Sequence, residues 1–153
     1  MQHLYWILPD QLAGRCGPEK VPWEPAALYA AGIRTVLTVA REERVADLSP
    51  YGLRHQRLAL PPLPFLLRHT QRAFARLARP VLDFIAAELS AERPVLVHCH
   101  DGDDRAGVIL SGYLVVYEGL APEAAVARVR AMNPRAMKMP GYAGVARWFR
   151  TAT

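Results

Sequence analysis

The sequence predicts an α/β protein with three layers, in which a central, twisted and mostly parallel sheet of four to five short strands is flanked by helices. Two observations lead to this fold class. Short apolar runs that suit buried strands alternate along the chain with longer segments in which apolar residues recur at helical spacing. No repeat, low-complexity tract or linker interrupts the 153 residues, so we expect residues 1–153 to form one domain.

The first half of the chain holds the shorter elements. Residues 4–8 form an apolar and aromatic run that predicts the first strand, and residues 12–14 are assigned to the turn beyond it. Residues 22–31 suit a helix that ends at a glycine, and the β-branched run at 33–40 predicts a buried strand. A further short strand is expected at residues 57–60, where prolines halt it.

The second half holds the longer helices. Apolar residues recur at helical spacing between residues 70 and 89, and Pro80 is expected either to kink this helix or to begin a second one. Residues 94–98 predict a buried strand. Residues 105–118 are apolar on nearly every side, which is typical of a helix inside the core. The last predicted elements are two helices, over residues 122–133 and 141–150.

The composition, the length of the apolar stretches and the N-terminal pattern restrict the class of protein and the compartment in which we expect it. Hydrophobic residues make up 52% and charged residues 22%, which is typical of a globular protein and excludes collagen-like, coiled-coil and disordered chains. The longest apolar stretches, such as residues 108–117, have about ten residues, whereas a membrane span needs ~20. The N-terminus lacks the charge and apolar pattern of a secretory signal. We therefore expect a cytoplasmic protein without a membrane span.

The charge pattern favours anionic partners. The net charge is +5, and 17 of the 19 basic residues are arginine, whose planar guanidinium suits phosphate and carboxylate groups. Four arginines recur opposite the predicted apolar stripe of Phe74, Leu77 and Val81, namely Arg68, Arg72, Arg76 and Arg79.

Such a face is usually only solvated. The alternative is a basic rim at Arg68, Arg72 and Arg76 that receives a polyanionic substrate, such as a phosphoinositide headgroup or an RNA 5′ end. Nucleic-acid binding in general is not expected, because the three tryptophans do not alternate with basic residues.

The sequence places its chemistry in one loop, between the strand predicted at 94–98 and the helix that follows. The segment reads His98-Cys99-His100-Asp101-Gly102-Asp103-Asp104-Arg105-Ala106-Gly107. Backbone N–H groups of such a loop converge on one point and the helix dipole adds positive charge, so phosphate is the natural ligand. The same field is expected to lower the pKa of the Cys99 thiol, and Arg105 can hold two phosphate oxygens at once.

The cysteine, five intervening residues and the arginine resemble the signature of cysteine-dependent protein tyrosine and dual-specificity phosphatases. Residues 5–9 and 12–14 resemble the entry strand of the small single-domain members, and segments between 112 and 130 resemble the helices that follow the signature. The resemblance implies a phosphatase fold in which Cys99 is the nucleophile and forms a phosphocysteine intermediate. It implies no metal and no cofactor.

The same resemblance assigns phosphate binding to the loop residues, which are His100, Asp101, Gly102, Asp103, Asp104 and Arg105. The expected substrate is a phosphorylated protein or a small phosphomonoester, with phosphotyrosine proteins first and phosphoinositides or other polyanionic phosphates second. A catalytically impaired module that only captures phosphorylated ligands is the alternative from another class.

The sequence departs from the family pattern in three ways, of which the first two motivate that alternative. The hydroxyl residue that usually follows the signature arginine is replaced by Ala106. The loop at residues 61–64, where the family usually carries its general acid, contains no carboxylate, and residues 137–142 lack the usual glutamine. Hydrolysis of the intermediate is therefore expected to be slow.

The loop itself offers a replacement acid. Asp101, Asp103 and Asp104 surround the expected dianion, and repulsion between like charges raises the pKa of a carboxyl group, so that one of them can stay protonated and donate to the leaving oxygen. Myotubularin-like phosphatases carry aspartates at the positions of Asp101 and Asp104. We predict Asp104 as the first candidate for the general acid and Asp101 as the second.

The remaining residues of interest carry two interpretations each. His98 is either an ordinary buried histidine or a residue that orients the loop and favours the thiolate. His100 either lines the pocket, as we expect, or faces solvent. Cys16 is expected to be a small apolar filler rather than a redox partner of Cys99, because two cysteines far apart in sequence make no disulfide framework.

Overall fold

A computed structural model describes residues 1–150 of the chain. Its strands are β1 (Tyr5–Leu8), β2 (Leu12–Arg15), β3 (Thr35–Thr38), β4 (Arg54–Arg57) and β5 (Val95–His98), and its α-helices are α1 (Pro25–Ala30), α2 (Arg68–Ser90), α3 (Arg105–Val116) and α4 (Pro122–Met132). Two 3₁₀ helices lie at Ser49–Tyr51 and Ala143–Trp148.

The five strands form one sheet in the order β1-β2-β5-β3-β4. Strand β1 pairs antiparallel with β2, and every other neighbouring pair is parallel. Strand β5 is the central strand and all four of its residues are buried, which explains its apolar run Val95-Leu96-Val97. The predicted class, an α/β fold with a mostly parallel sheet of four to five strands, is confirmed. The segment after β5 therefore emerges at the carboxyl edge of the sheet, where α/β proteins bind ligands.

Two strand predictions were wrong in position. Residues 12–14 were assigned to a turn, but they belong to β2, which is fully buried and pairs with β5 along its whole length. The apolar signal was missed because the strand has only four residues, of which one is glycine and one arginine. The strand expected at 57–60 lies at Arg54–Arg57 instead, and its side chains are polar and largely exposed because it is an edge strand.

The helices also differ from expectation in detail. Helix α2 runs for 23 residues through Pro80, so the alternative of a second helix beginning there was wrong. Pro80 lies on the exposed side of the helix. Leu77 does not belong to the buried stripe, because it is 57% exposed, while Phe74 and Val81 are buried as predicted. The helix expected at 141–150 is the shorter 3₁₀ helix Ala143–Trp148.

The core lies on both faces of the sheet. The larger cluster packs α2, α3 and α4 against one face, and all twelve residues of α3 are buried within it, as the sequence predicted. The smaller cluster packs α1 against the other face through residues such as Leu28, Ile33 and Val36. Within residues 1–150, no helix combines the length and hydrophobicity that a membrane span requires. The loop between β5 and α3 is thus anchored at both ends in the core.

Candidate active site in the loop between β5 and α3

Cys99 and Arg105 stand at the two ends of the loop, one directly after β5 and the other at the start of α3. Between them the chain turns sharply at Gly102, whose φ of +78° lies in the left-handed region that favours glycine. A side chain is also excluded there, because a Cβ atom would lie 2.6 Å from the Arg15 carbonyl oxygen. The turn lets the Gly102 N–H donate to the Cys99 sulfur at 3.2 Å.

The carbonyl groups of the loop are held by the protein that surrounds it. The His100 carbonyl accepts from the Gly17 N–H at 2.8 Å and the Asp103 carbonyl from the Met137 N–H at 3.1 Å. Since C=O and N–H of a trans peptide point in opposite directions, these bonds turn the following N–H groups toward the inside of the loop. The described residues contain no cis peptide bond. The loop therefore has the form of an anion cradle.

The Cys99 thiol is 3% exposed. Burial raises its pKa, whereas the Ala106 and Gly102 N–H groups and the charge of Arg105 act in the opposite direction. The predicted lowering of the thiol pKa was therefore wrong, because burial outweighs the positive field of the loop. The thiol has to lose its proton at the moment of use.

Arg105 is held by a carboxylate that the sequence analysis did not single out. Its two terminal nitrogens donate to the two oxygens of Glu42, with 3.1 Å between Nη1 and Oε2. The hydrogen bond from Arg105 lowers the pKa of Glu42 to about 2, so this carboxylate is ionised at neutral pH. The pair fixes the guanidinium group at the wall of the loop. The sequence signal was the acidic dipeptide Glu42-Glu43, which begins four residues after the end of β3.

The second member of that dipeptide, Glu43, binds His100. The His100 Nδ1 lies 2.9 Å from the Glu43 carboxylate, which is buried and also accepts from the Glu19 N–H at 3.2 Å. This hydrogen bond raises the pKa of His100. The expectation that His100 lines the pocket was wrong, because its side chain is directed at Glu43 and is not among the residues around the cavity described below.

His98 is fully buried and both of its ring nitrogens are used. Its Nδ1 donates to the Cys99 carbonyl at 3.0 Å, and its Nε2 lies 2.7 Å from the Thr38 hydroxyl. Burial lowers the pKa of His98 to about 4, so the ring is neutral at pH 7. Each of the two interpretations from the sequence thus describes a part of what the structure shows for His98. His98 is a satisfied core histidine that also holds the first carbonyl of the loop, and it adds no charge that would favour a thiolate.

A cavity of about 220 Å³ opens onto the thiol. It is lined by Pro62, Leu63, Cys99, Asp101, Asp104, Arg105, Met139 and Tyr142. The Tyr142 hydroxyl donates to the Leu63 carbonyl, which joins the two walls on either side of the mouth. As predicted, the segment at 61–64 reaches the site without a carboxylate, and the wall at 137–142 reaches it without an amide side chain.

The two aspartates in this cavity differ in their surroundings. Burial, together with the charges of Asp103 and Asp101, raises the pKa of Asp104, which accepts only a 3.4 Å hydrogen bond from the Met139 N–H. Asp101 forms a 2.7 Å ion pair with Lys20, whose hydrogen bond lowers the pKa of Asp101. Asp103 points elsewhere, to the Asn133 side chain at 3.0 Å. Of the three, Asp104 has the surroundings that favour the protonated form, which a proton donor requires.

A larger cavity lies away from this chemistry. It measures about 620 Å³ and lies between α4 and the 3₁₀ helix Ala143–Trp148, with Glu123, Arg130 and Arg147 as its charged residues. It contains no nucleophile, and we therefore place the candidate site at the smaller cavity. Cys16 is buried elsewhere, with the Arg15 guanidinium 3.8 Å from its sulfur, and its role as a small apolar filler stays a prediction.

Comparison with known proteins gives consistent matches over most of the chain. The family described as "PTP-SAK: Swiss Army Knife protein, DSP-PTPase phosphatase domain" matches residues 1–143. Human dual specificity protein phosphatase 12 is 33% identical over 123 residues, which cover 78% of this chain and 34% of the human protein. The chain thus spans about a third of the length of that relative.

Solved structures agree in fold. The crystal structure of human DUSP28 matches with a TM-score of 0.77 at 19% identity and covers 96% of this chain and 92% of its own. The crystal structure of PTPMT1 in complex with PI(5)P matches with a TM-score of 0.73 at 15% identity, covering 95% and 93%.

Proposed function

This chain belongs to the family of DSP-PTPase phosphatase domains, and on that premise we propose that it hydrolyses phosphomonoesters through a phosphocysteine intermediate on Cys99. One observation carries the proposal. The Cys99 thiol, the Arg105 guanidinium and the Asp104 carboxyl group line the same cavity, so a nucleophile, a phosphate-binding cation and a proton donor face one substrate.

Substrate binding rests on the loop and on Arg105. The inward N–H groups of the loop and the guanidinium group receive the non-bridging oxygens of the phosphate. The same donors stabilise the charge that develops on these oxygens as the phosphoryl group is transferred. Glu42 keeps the guanidinium group oriented in the meantime, because it binds both terminal nitrogens.

In the first step the Cys99 thiol gives its proton to a non-bridging oxygen of the bound phosphate dianion, and the sulfur attacks phosphorus. The S–P bond forms while the bond between phosphorus and the ester oxygen breaks, and Asp104 gives its proton to the leaving oxygen. The raised pKa of Asp104 suits this role, since a carboxyl group must be protonated to donate. In the second step water attacks phosphorus and one of its protons passes to Asp104, while the S–P bond breaks. The Cys99 thiolate then takes its proton back from the dihydrogen phosphate, which leaves as the dianion.

Phosphotyrosine proteins are the substrates that we propose first. Leu63, Met139 and the Tyr142 ring line the cavity and offer apolar contacts to an aromatic leaving group. Phosphoinositides are the second candidate, and the similarity of fold to PTPMT1 bound to PI(5)P supports them. Metal and cofactor play no part in this proposal, and the cytoplasmic location stays a prediction from the sequence.

The second step is expected to be slower than the first, because Ala106 replaces the hydroxyl residue that usually assists departure of the thiolate. Rapid mixing of the enzyme with p-nitrophenyl phosphate should therefore release a burst of about one equivalent of nitrophenol per Cys99 before slower turnover. Mass spectrometry of the acid-quenched enzyme should find the phosphoryl group on the peptide that contains Cys99.

The variant Ala106→Ser is expected to reduce the burst by accelerating the second step roughly fivefold, since one hydrogen bond to the departing sulfur is worth about 1 kcal/mol. The matched control is Ala124→Ser, at an exposed position of α4, which should keep the burst. Turnover without any phosphorylated cysteine peptide, in wild type and in Ala106→Ser alike, would contradict the proposed intermediate.

A second proposal concerns polyanionic substrates. Four arginines with Trp148 and Phe149 line a separate cavity of about 220 Å³, and these are Arg72, Arg76, Arg79 and Arg150. The Arg72 guanidinium lies 5.9 Å from the Trp148 ring centroid. Arg68, which the sequence analysis placed in the rim, does not line this cavity. We propose that the cavity binds a second phosphate of a substrate whose first phosphate occupies the catalytic loop.

The variant Arg76→Ala is expected to raise KM for a phosphoinositide bisphosphate about threefold to tenfold and to leave kcat unchanged. KM for p-nitrophenyl phosphate, which has one phosphate, should not change. Arg128→Ala removes the same charge from an exposed position on α4 and serves as the control. Equal effects of the two variants would show that the net charge alone matters and would refute this second site.

A further inference from the structure

Two side chains from distant parts of the chain bind one carbonyl oxygen of the catalytic loop. The Tyr5 hydroxyl donates to the Gly102 carbonyl at 2.9 Å, and the Asn133 Nδ2 donates to the same oxygen at 3.3 Å. We propose that Tyr5 and Asn133 are positioning residues that fix the peptide between Gly102 and Asp103, so that the Asp103 N–H faces the phosphate. This inference rests on the proposed function and names the residues that hold the phosphate-binding loop in its conformation.

Peptide geometry gives the direct argument. The Gly102 carbonyl is the one loop carbonyl of residues 100, 102 and 103 that is held by side chains, since the other two are held by backbone N–H groups. A carbonyl pulled outward turns the N–H of the same trans peptide inward. Gly102 is also the most adaptable residue of the loop, because glycine can rotate its peptide planes more freely than any other residue. An external hold is needed most at this position.

The pairing of β1 with β2 places the Tyr5 hydroxyl next to the catalytic loop. Tyr5 lies opposite Gly14 in the pairing of the two strands. A Cβ atom on Gly14 would lie 2.5 Å from the Tyr5 hydroxyl oxygen, so only glycine leaves room for the phenol ring to cross the neighbouring strand toward the loop. This explains why a glycine occupies the middle of a fully buried strand, where it otherwise weakens the structure.

The Asn133 side chain, directly after the end of α4, is likewise held by hydrogen bonds. Its Nδ2 also donates to the Asp103 Oδ1 at 3.0 Å, and its Oδ1 accepts from the Arg135 N–H at 3.3 Å, so both ends of the carboxamide are used. The Arg135 guanidinium lies 3.9 Å from the other oxygen of Asp103. The negative charge of Asp103 is thereby held on the outside of the loop, where it repels a bound phosphate least.

Two donors on one oxygen lead to a specific expectation. Either hydrogen bond alone can keep the carbonyl outward, so the loss of one should cost little, and the loss of both should cost more than the product of the single effects. This pattern differs from that of two independent contacts, whose effects multiply.

The experiment compares Tyr5→Phe, Asn133→Ala and the double variant with the wild type. We expect each single variant to weaken inhibition by vanadate about threefold and the double variant to weaken it at least thirtyfold, with kcat/KM for p-nitrophenyl phosphate falling by the same factors. Tyr117→Phe is the control, because it removes a hydroxyl hydrogen bond to Asp83 on the exposed surface. It should change neither quantity.

The inhibition constant separates positioning from a structural role. A variant that merely folds less well loses kcat per total protein, while its remaining folded molecules bind vanadate normally. If the double variant keeps the wild-type inhibition constant, or if the single effects simply multiply, the proposed joint hold on Gly102 is overturned. A wild type that neither turns over the ester nor binds vanadate would overturn the phosphatase proposal itself, which is a distinguishable result.

Discussion

Serine in place of Cys99 is expected to lower the hydrolysis of aryl phosphates by at least ~10⁴-fold while the protein stays folded. The change replaces one atom in a fully buried side chain, so the loop keeps its space and its hydrogen-bond donors. The serine hydroxyl is a much weaker acid than a thiol, and the burial that already raises the pKa of Cys99 would disfavour an alkoxide still more. Steady-state hydrolysis of p-nitrophenyl phosphate measures the loss.

The control is Cys16→Ser, which changes the other buried cysteine of the chain. Its turnover should stay within about twofold of wild type, because Cys16 does not line the catalytic cavity. Cys99→Ser should still bind inorganic phosphate, since the loop amides and Arg105 are unchanged. Turnover by Cys99→Ser at the wild-type rate would exclude the phosphocysteine route. A wild type that binds phosphate but has no turnover would identify a capture module instead of an enzyme.

The catalytic loop could be predicted from the sequence because its parts are contiguous. A buried strand, a polar turn and an apolar helix follow one another, and the chemistry of Cys99 and Arg105 depends only on that local order. The residues that hold the loop were missed for the opposite reason. Glu42 lies 63 positions from its partner Arg105, and Tyr5 lies 97 positions from Gly102. Nothing in a single sequence states which distant side chains the sheet will bring to one loop.

Electrostatic predictions failed where burial decided the outcome. The sequence places Cys99 beside a helix N-terminus, which argues for a low thiol pKa, but it does not show that the thiol is 3% exposed. The sequence likewise does not show how the surroundings of the three loop aspartates differ, and the ranking that put Asp104 first came from the family resemblance. In the structure Asp104 is half-buried in the cavity, whereas Asp101 is paired with Lys20. Asp103 accepts a hydrogen bond from the Asn133 side chain. The strand β4 illustrates the same limit, because a polar edge strand gives no apolar pattern to find.

Because Asp104 is the loop aspartate in the cavity whose pKa is raised, its substitution is expected to have the second large effect on activity. Asp104→Asn is expected to lower kcat/KM for phenyl phosphate, an ester with a poor leaving group, by about 10²–10³-fold, because the leaving oxygen then departs without a proton. The loss for p-nitrophenyl phosphate should be tenfold or less, since its phenolate is stable enough to leave unprotonated. Steady-state kinetics on a series of substituted phenyl phosphates would measure this steeper dependence on the leaving group.

The dependence of the hydrolysis rate on pH tests the assignment of the general acid independently. Burial and the neighbouring aspartates raise the pKa of Asp104, and the acid acts only while protonated, so the wild-type rate should fall as pH rises through that pKa. Asp104→Asn should lose this fall, because asparagine does not titrate. Asp101→Asn tests the competing candidate. Its ion pair with Lys20 lowers the pKa of Asp101, which keeps that carboxyl group ionised over the working range and unable to donate. If Asp101→Asn removed the basic limb and Asp104→Asn did not, the acid would be Asp101, with Lys20 displaced whenever substrate is bound.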